Sequence, residues 1–385
     1  MNPITAQLDE NLATKPLSEV RSQLKINWYR CPVDRERLKA LSQRSNWRGG
    51  LQALGHLGLL IVTGLAATYL FEQGHWLGFI VALFAYGSVA SFLTGPHHEL
   101  CHGSVFKTRR LNEIFLRIFS TLGWLNFYVY KFSHSYHHRY TLYPEGDREE
   151  VMPATPSLRF LFLLQLFSIN ITGGYQSRGI LPTLRNVFKL AFDRFDNPFN
   201  SWGPELYAEH PDERRKARNW SRWLIAFHAT VIVTATALGH PEVALVVSGG
   251  PFIGNWWRYF VGVPMHCGLR SNVPDFRKCV RTITLDPVSE FLYWHMNWHL
   301  EHHMYANVPC YNLKALHHSI AEDMPKPRTL IGAWREMRAI WKQQQTDPDY
   351  AFDTPVPSSA DKRPSDQDGL HSSMGDLAPA AISDR

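Results

Sequence analysis

Four apolar stretches, set out as two close pairs, constrain the fold of this chain more than anything else in its sequence. They cover roughly residues 51–71, 76–94, 223–239 and 243–263, and about 20 residues of helix suffice to cross the hydrocarbon of a bilayer. Only Glu72-Gln-Gly-His75 separates the first two, and only His240-Pro-Glu242 the second two. Helices joined so tightly run antiparallel. The expected fold is an all-α integral membrane protein with two transmembrane hairpins, four spanning helices in all. Shorter apolar runs at 114–130 and 158–171 are interrupted by Arg, Asn or Gln and read as interfacial or buried helices.

Charge gives an expected orientation. The first 50 residues carry nine Lys and Arg, residues 96–222 carry seventeen, and the two hairpin loops carry none. Loops rich in Lys and Arg stay on the cytoplasmic side, which places both termini and the central region there. The basic balance, 40 Lys and Arg against 34 Asp and Glu, is explained by that face; nothing resembles a nucleic-acid module. Three parts follow: a basic cytoplasmic segment over 1–50, a membrane domain over 51–345, and a tail over 346–385. The tail is rich in Pro, Ser and Asp and is expected to be disordered. The N-terminus has no apolar run of the kind a cleaved signal peptide needs. Five cysteines without a C-x-x-C pair argue against a disulfide framework or a thiolate metal site.

The chemistry lies in the histidines. His98-Glu-Leu-Cys-His102 spells H-E-x-x-H, the zinc-protease pattern in which two His one turn apart hold the metal and Glu acts as base. Asp286 is a conceivable third ligand for such a site. That reading, however, leaves two further clusters idle: His134-Ser-Tyr-His137-His138 and His299-Leu-Glu-His302-His303. Within each cluster the spacing puts the rings on one helical face. Eight imidazoles exceed what one tetrahedral zinc can use and suit two metal ions, for which imidazole alone does not choose between Fe, Zn, Cu and Ni. His97 is the competitor for His98, but i,i+5 from His97 to His102 does not share a face, and i,i+4 does. His266 follows the last apolar stretch.

Three histidine boxes around two membrane hairpins resemble the membrane fatty acid desaturase superfamily, over roughly residues 50–330. "NWHLEHHMYANVP" is similar to its third-box region, and "MHCGLRSNVPDF" with "WHMNWHLEHHMY" looks nearest to the rhizobitoxine-pathway branch. The resemblance implies a cytoplasmic helical cap holding a non-haem di-iron site, with O2 and two external electrons used to desaturate an acyl chain or acyl-like small molecule. A hydroxylase or ketolase on the same scaffold is the alternative. It also implies His266 as a ninth iron ligand beside His98, His102, His134, His137, His138, His299, His302 and His303. "GHPE" at 239–242 is not the haem-binding H-P-G-G, so the expected donor is a separate ferredoxin or b-type cytochrome with its reductase. Glu99, Asp147, Asn297 and Glu301 are candidates to receive the outer N–H of a ligand imidazole. Trp124, Trp256, Trp257 and Trp294 are candidates for a substrate channel or for interfacial anchors.

Overall fold

The computed structural model describes residues 16–149, 154–196 and 203–357. The chain opens with two short helices, α1 (Leu17–Gln23) and α2 (Arg35–Leu41). The first hairpin follows: α3 (Asn46–Glu72), and α4 (Trp76–Ala90), which continues through a 3-10 turn into α5 (Thr94–Cys101). Ser45 caps α3 by accepting the amide of Arg48. Gly74, at φ +69°, makes the reversal. Asn46–Glu72 and Trp76–Cys101 are the two helices, among the described residues, long and apolar enough to cross a membrane. Each is about 40 Å long at 1.5 Å per residue.

The two faces of α3 differ as a lipid-facing helix requires. Leu54, Ile61, Val62 and Leu65 stand exposed, while Gly49, Gln52, Ala53, His56, Leu60, Gly64 and Ala67 form the buried stripe. Small residues there let α4 approach: a Cβ on Gly64 would meet Tyr86 and Val246 at 3.2 Å. The polar members of the stripe are paired, as an apolar solvent demands. Gln52 Nε2 donates to Phe291 O at 2.8 Å, and His56 Nδ1 accepts from Trp294 Nε1 at 3.0 Å.

Beyond the hairpin come α6 (Arg109–Leu122), α7 (Phe127–Tyr140), α8 (Phe160–Leu166), α9 (Ile180–Ala191) and α10 (Pro211–Ala237). The apolar run 114–130 is thus two helices, broken where Trp124 turns to φ 55°. The third expected span is the second half of α10, whose first half carries seven of its charged residues. From Trp223 to Ala237 only about 22 Å of helix remains apolar. The fourth, 243–263, is not one helix. Single turns at Pro241–Ala244, Leu245–Gly249 and Gly250–Phe252 give way to extended backbone at Ile253, and α11 (Trp256–Gly262) starts anew. Gly249-Gly250-Pro251 interrupts the helical ladder here. The freed backbone pairs with residues 168–170: Asn170 N donates to Phe252 O at 2.7 Å and Gly254 N to Ser168 O at 2.8 Å. Gly87 admits the break, since a Cβ there would lie 2.3 Å from Ile253 O. The second expected hairpin is therefore a partly charged helix beside a broken segment.

The remaining elements are α12 (Pro287–Leu292), α13 (His299–Met304), α14 (Leu313–Ile320) and α15 (Leu330–Gln344); α13 packs on α14, α14 on α2, and α15 on the Val263–Met265 turn. A two-residue parallel pair, β1 (Ile283–Thr284) with β2 (Arg328–Thr329), ties them together. The basic N-terminal segment is built into this layer from residue 16. Trp28 stacks on Phe276 at 4.0 Å, Tyr29 O–H donates to Asp323, and Tyr305 Oη donates to Cys31 O at 2.7 Å. Of the expected tail, 346–357 is tied down: Phe352 N donates to Gly268 O, Asp353 meets Lys278, and Thr354 is buried. Residues 358–385, the bulk of that tail, lie outside the described residues, as do residues 1–15.

Candidate metal centre

The first box lies at the end of the continuous helix begun at Trp76, His98 inside α5 and His102 at its C-cap. From Trp76 to His98 the rise is about 33 Å, so the box stands at the far end of the hairpin from its loop. The second box occupies the last two turns of α7, whose start Asn126 caps by accepting the amide of Val129. The third is α13 itself. His266 ends the 3-10 turn Val263–Met265 that follows α11.

These elements converge into two groups. His98, His102, His134, His138 and His302 each bring one ring nitrogen within 4.8 Å of the others; His137, His266, His299 and His303 do the same. The groups adjoin, with the rings of His138 and His303 stacked at 4.4 Å. His97 belongs to neither: it turns aside to Ser120 Oγ at 2.8 Å. A third group, Glu72, His240 and Glu242, stands at the opposite end, between the hairpin loops.

Outer contacts aim the rings. His134 Nδ1 donates to Glu149 at 3.0 Å, His137 Nδ1 to Asp147 at 2.8 Å, His98 Nδ1 to Glu99 at 2.9 Å, and His266 Nδ1 to Cys279 O at 3.0 Å. Thr141 Oγ1 donates to His137 O and faces His303 Nδ1 at 3.1 Å. With Nδ1 protonated, each Nε2 carries an inward lone pair. Inside, Nε2 atoms confront one another: His134 and His138 at 3.0 Å, His138 and His302 at 3.1 Å, His266 and His299 at 2.9 Å, His299 and His303 at 3.2 Å. The buried Nε2 atoms of His98 and His102 have no hydrogen-bond partner.

Facing lone pairs repel and orphaned buried acceptors are costly, so the arrangement suits cations at its centres. Two nitrogens about 2.1 Å from one ion, at right angles, lie about 3 Å apart; the donor set fits metal. Burial, reinforced by the neighbouring rings, pushes the imidazoles of His134, His138, His299, His302 and His303 well below their usual range, and His266 down to about 3. They are held neutral, the form that binds a metal. Burial would raise Asp147, but His137 and the Leu142 amide outweigh it and hold the carboxyl below its usual value. Burial lifts Glu149 to about 7 against the opposing pull of His137 and Ser133.

Of the four acidic and amide candidates, Glu99 and Asp147 touch box histidines. Asn297 and Glu301 do not: Asn297 Nδ2 donates to Ile283 O at 3.0 Å and holds β1, while Glu301 accepts from Thr282 Oγ1 and His317 Nδ1, both at 2.5 Å. Asn297 lies in the turn before α13, and Glu301 leaves α13 on the face away from the boxes. Glu149, Thr141 and the Cys279 carbonyl were not foreseen. Among the tryptophans, Trp294 is fully buried against His56, Trp124 stacks on His228 at 3.7 Å, and Trp256 and Trp257 donate to Ser88 and Ser289. Asp286, the candidate protease ligand, caps α12 by accepting the amides of Val288 and Ser289.

The sequence pattern of one family, fatty acid desaturase, matches residues 74–334, a stretch that contains all nine clustered histidines. The chain belongs to the fatty acid desaturase family. No curated sequence gives a significant match. Family membership makes the chain a membrane oxidoreductase of the desaturase and hydroxylase type, and its two histidine groups could each hold a metal ion.

Proposed function

We propose that the chain is a di-iron desaturase that uses O2 and two external electrons to introduce a double bond into an acyl chain or an acyl-like small molecule. The observation that carries this reading is the partition of nine imidazoles into a group of five and a group of four. His98, His102, His134, His138 and His302 would hold one iron, and His137, His266, His299 and His303 the other. The pair would supply, with O2 and the two electrons, an oxidant able to take hydrogen from an unactivated carbon. The chain's own residues orient and protect. Glu99, Asp147, Glu149, Thr141 and the Cys279 carbonyl fix the rings so that Nε2 points inward, and burial keeps bulk water out. The rhizobitoxine-branch resemblance supports a small amino-acid-derived substrate within the acyl-like class.

A separate electron donor, a ferredoxin or b-type cytochrome with its reductase, would serve the site. The charge pattern supports a cytoplasmic location for the site and both termini, with the Lys- and Arg-free hairpin loops on the other side.

The test is metal content with product analysis. Protein purified from iron-replete cells should carry about two iron atoms per chain and little zinc, since zinc uses at most four of these ligands. Extracts of an expressing host should contain a product lacking two hydrogens relative to its precursor. An added oxygen atom would move the reading to the hydroxylase or ketolase. Zinc as the main metal would restore the protease.

A further inference from the structure

A groove of about 720 Å³ lies between α6 and α10, closed at one side by Tyr128 of α7. No part of the metal centre lines it. Its volume falls within the range of small-molecule sites, roughly 300–1,000 Å³, and its walls are graded. Arg117 of α6 stands level with Trp220 of α10, its guanidinium 5.7 Å from the indole and 5.5 Å from the ring of Phe127. Lys216 and Asn219 lie on the same turns of α10, and Lys131 Nζ sits 5.5 Å over Phe127. This end thus gathers Arg117, Lys216 and, beside Phe127, Lys131; Lys216 meets the Glu213 carboxylate at 3.0 Å.

Further along both helices the lining becomes apolar: Ile118 and Leu122 on α6, Trp223 and Phe227 on α10. Thr121 and Trp223 are in register, Trp223 Nε1 donating to Thr121 Oγ1 at 3.3 Å. The two helices therefore run side by side from charge into hydrocarbon, and from Lys216 to Phe227 the descent is about 16 Å. Trp220 Nε1 is fixed on Leu125 O at 2.8 Å, and both indoles line the groove. Tryptophans at this level are what the headgroup boundary of a membrane selects.

We propose that this groove is a binding site for an anionic phospholipid, its phosphodiester held by Arg117 and Lys216 with Asn219 and Tyr128 as hydrogen-bonding neighbours, and one acyl chain laid along Ile118, Leu122, Trp223 and Phe227. Charge complementarity selects the anion. The grading from cation to hydrocarbon selects an amphiphile over a soluble phosphate or a protein, and the depth matches a headgroup joined to the first part of a chain. The site is independent of the metal reading.

The experiment uses the full chain in neutral detergent with phosphatidylglycerol, phosphatidylcholine of identical chains, and oleate, with bound lipid read by native mass spectrometry. Phosphatidylglycerol should be retained in preference to the other two. Arg117→Glu should lower its affinity about tenfold, removing one attraction and adding one repulsion; Trp223→Ala should shorten its retention, and neither should change bound metal. Arg117→Gln gives a milder form of the same loss should the reversal harm folding. Arg185→Glu, on the exposed face of α9, should leave binding as it was. Equal retention of phosphatidylcholine, preference for oleate, or an equal loss in Arg185→Glu would each overturn the proposal, the last by making the attraction a diffuse one.

Discussion

Asp147 Oδ2 accepts the Nδ1 proton of His137 at 2.8 Å and the amide of Leu142 at 2.9 Å, in full burial. One carboxylate oxygen thus clamps a box histidine to the turn that ends α7. Asp147→Asn removes the charge that orients the ring, and losses of this kind cost about 10–100-fold in metal affinity or activity. Glu301→Gln, whose contacts are Thr282 and His317, should leave metal retention within a few-fold of the parent. Iron remaining after timed exposure to a chelator reads both. Equal sensitivity of the two variants would refute the division drawn between these carboxylates.

Alanine at any of the nine clustered histidines should abolish turnover and lower bound iron while the chain still inserts, because insertion depends on the apolar helices. His97→Ala should keep its iron and most of its activity, at a stability cost of about 1 kcal/mol for the bond to Ser120. Metal analysis beside a turnover assay separates these outcomes. His97 essential with His98 dispensable would show that the wrong member of the pair was assigned to the metal.

Gly87→Ala drives a methyl into the carbonyl of Ile253, a backbone atom that cannot move aside. Overpacking of this kind costs about 1–3 kcal/mol. Gly58→Ala, which meets nothing within 4 Å, should be neutral or slightly stabilising through helix propensity. Thermal unfolding in detergent compares them, and an unperturbed Gly87→Ala would mean that the broken segment does not rest on α4.

Reporter domains joined after Gly74 and after Pro241 should read the side of the membrane opposite to one joined after Asp147. A fusion after Asp147 that reads with the loops would reverse the proposed orientation of the site.

The histidine set was readable because metal chemistry uses few residue types at short helical spacings, and such spacings survive without knowledge of the tertiary structure. His98 over His97 followed from the same reasoning, and the structure turns His97 away. The supporting contacts were harder. Glu149 stands two residues past Asp147 in "GDREE", so a signal existed, but only folding decides which of several nearby carboxylates meets a ring. Thr141 and the Cys279 carbonyl carry no signal, since hydroxyls and main-chain oxygens are everywhere. Asn297 and Glu301 meet Ile283, Thr282 and His317 and not the boxes, because closeness along the chain is not closeness in space. The run 243–263 looked like a spanning helix because averaged apolarity is blind to Gly249-Gly250-Pro251 and to a neighbouring strand-like segment that can accept the broken ladder.

The bond between Tyr29 and Asp323 joins residues 294 positions apart, and its consequence is one of timing. Ribosomes add about 5–20 residues per second, so Tyr29 leaves the exit tunnel roughly 15–60 s before the partner that fastens it. The second box, complete at His138, is made 165 residues before the third is complete at His303, and Asp323 follows later still. A nascent chain stalled between His138 and His299 therefore carries two of the three boxes, and Tyr29 without the carboxylate that fastens it.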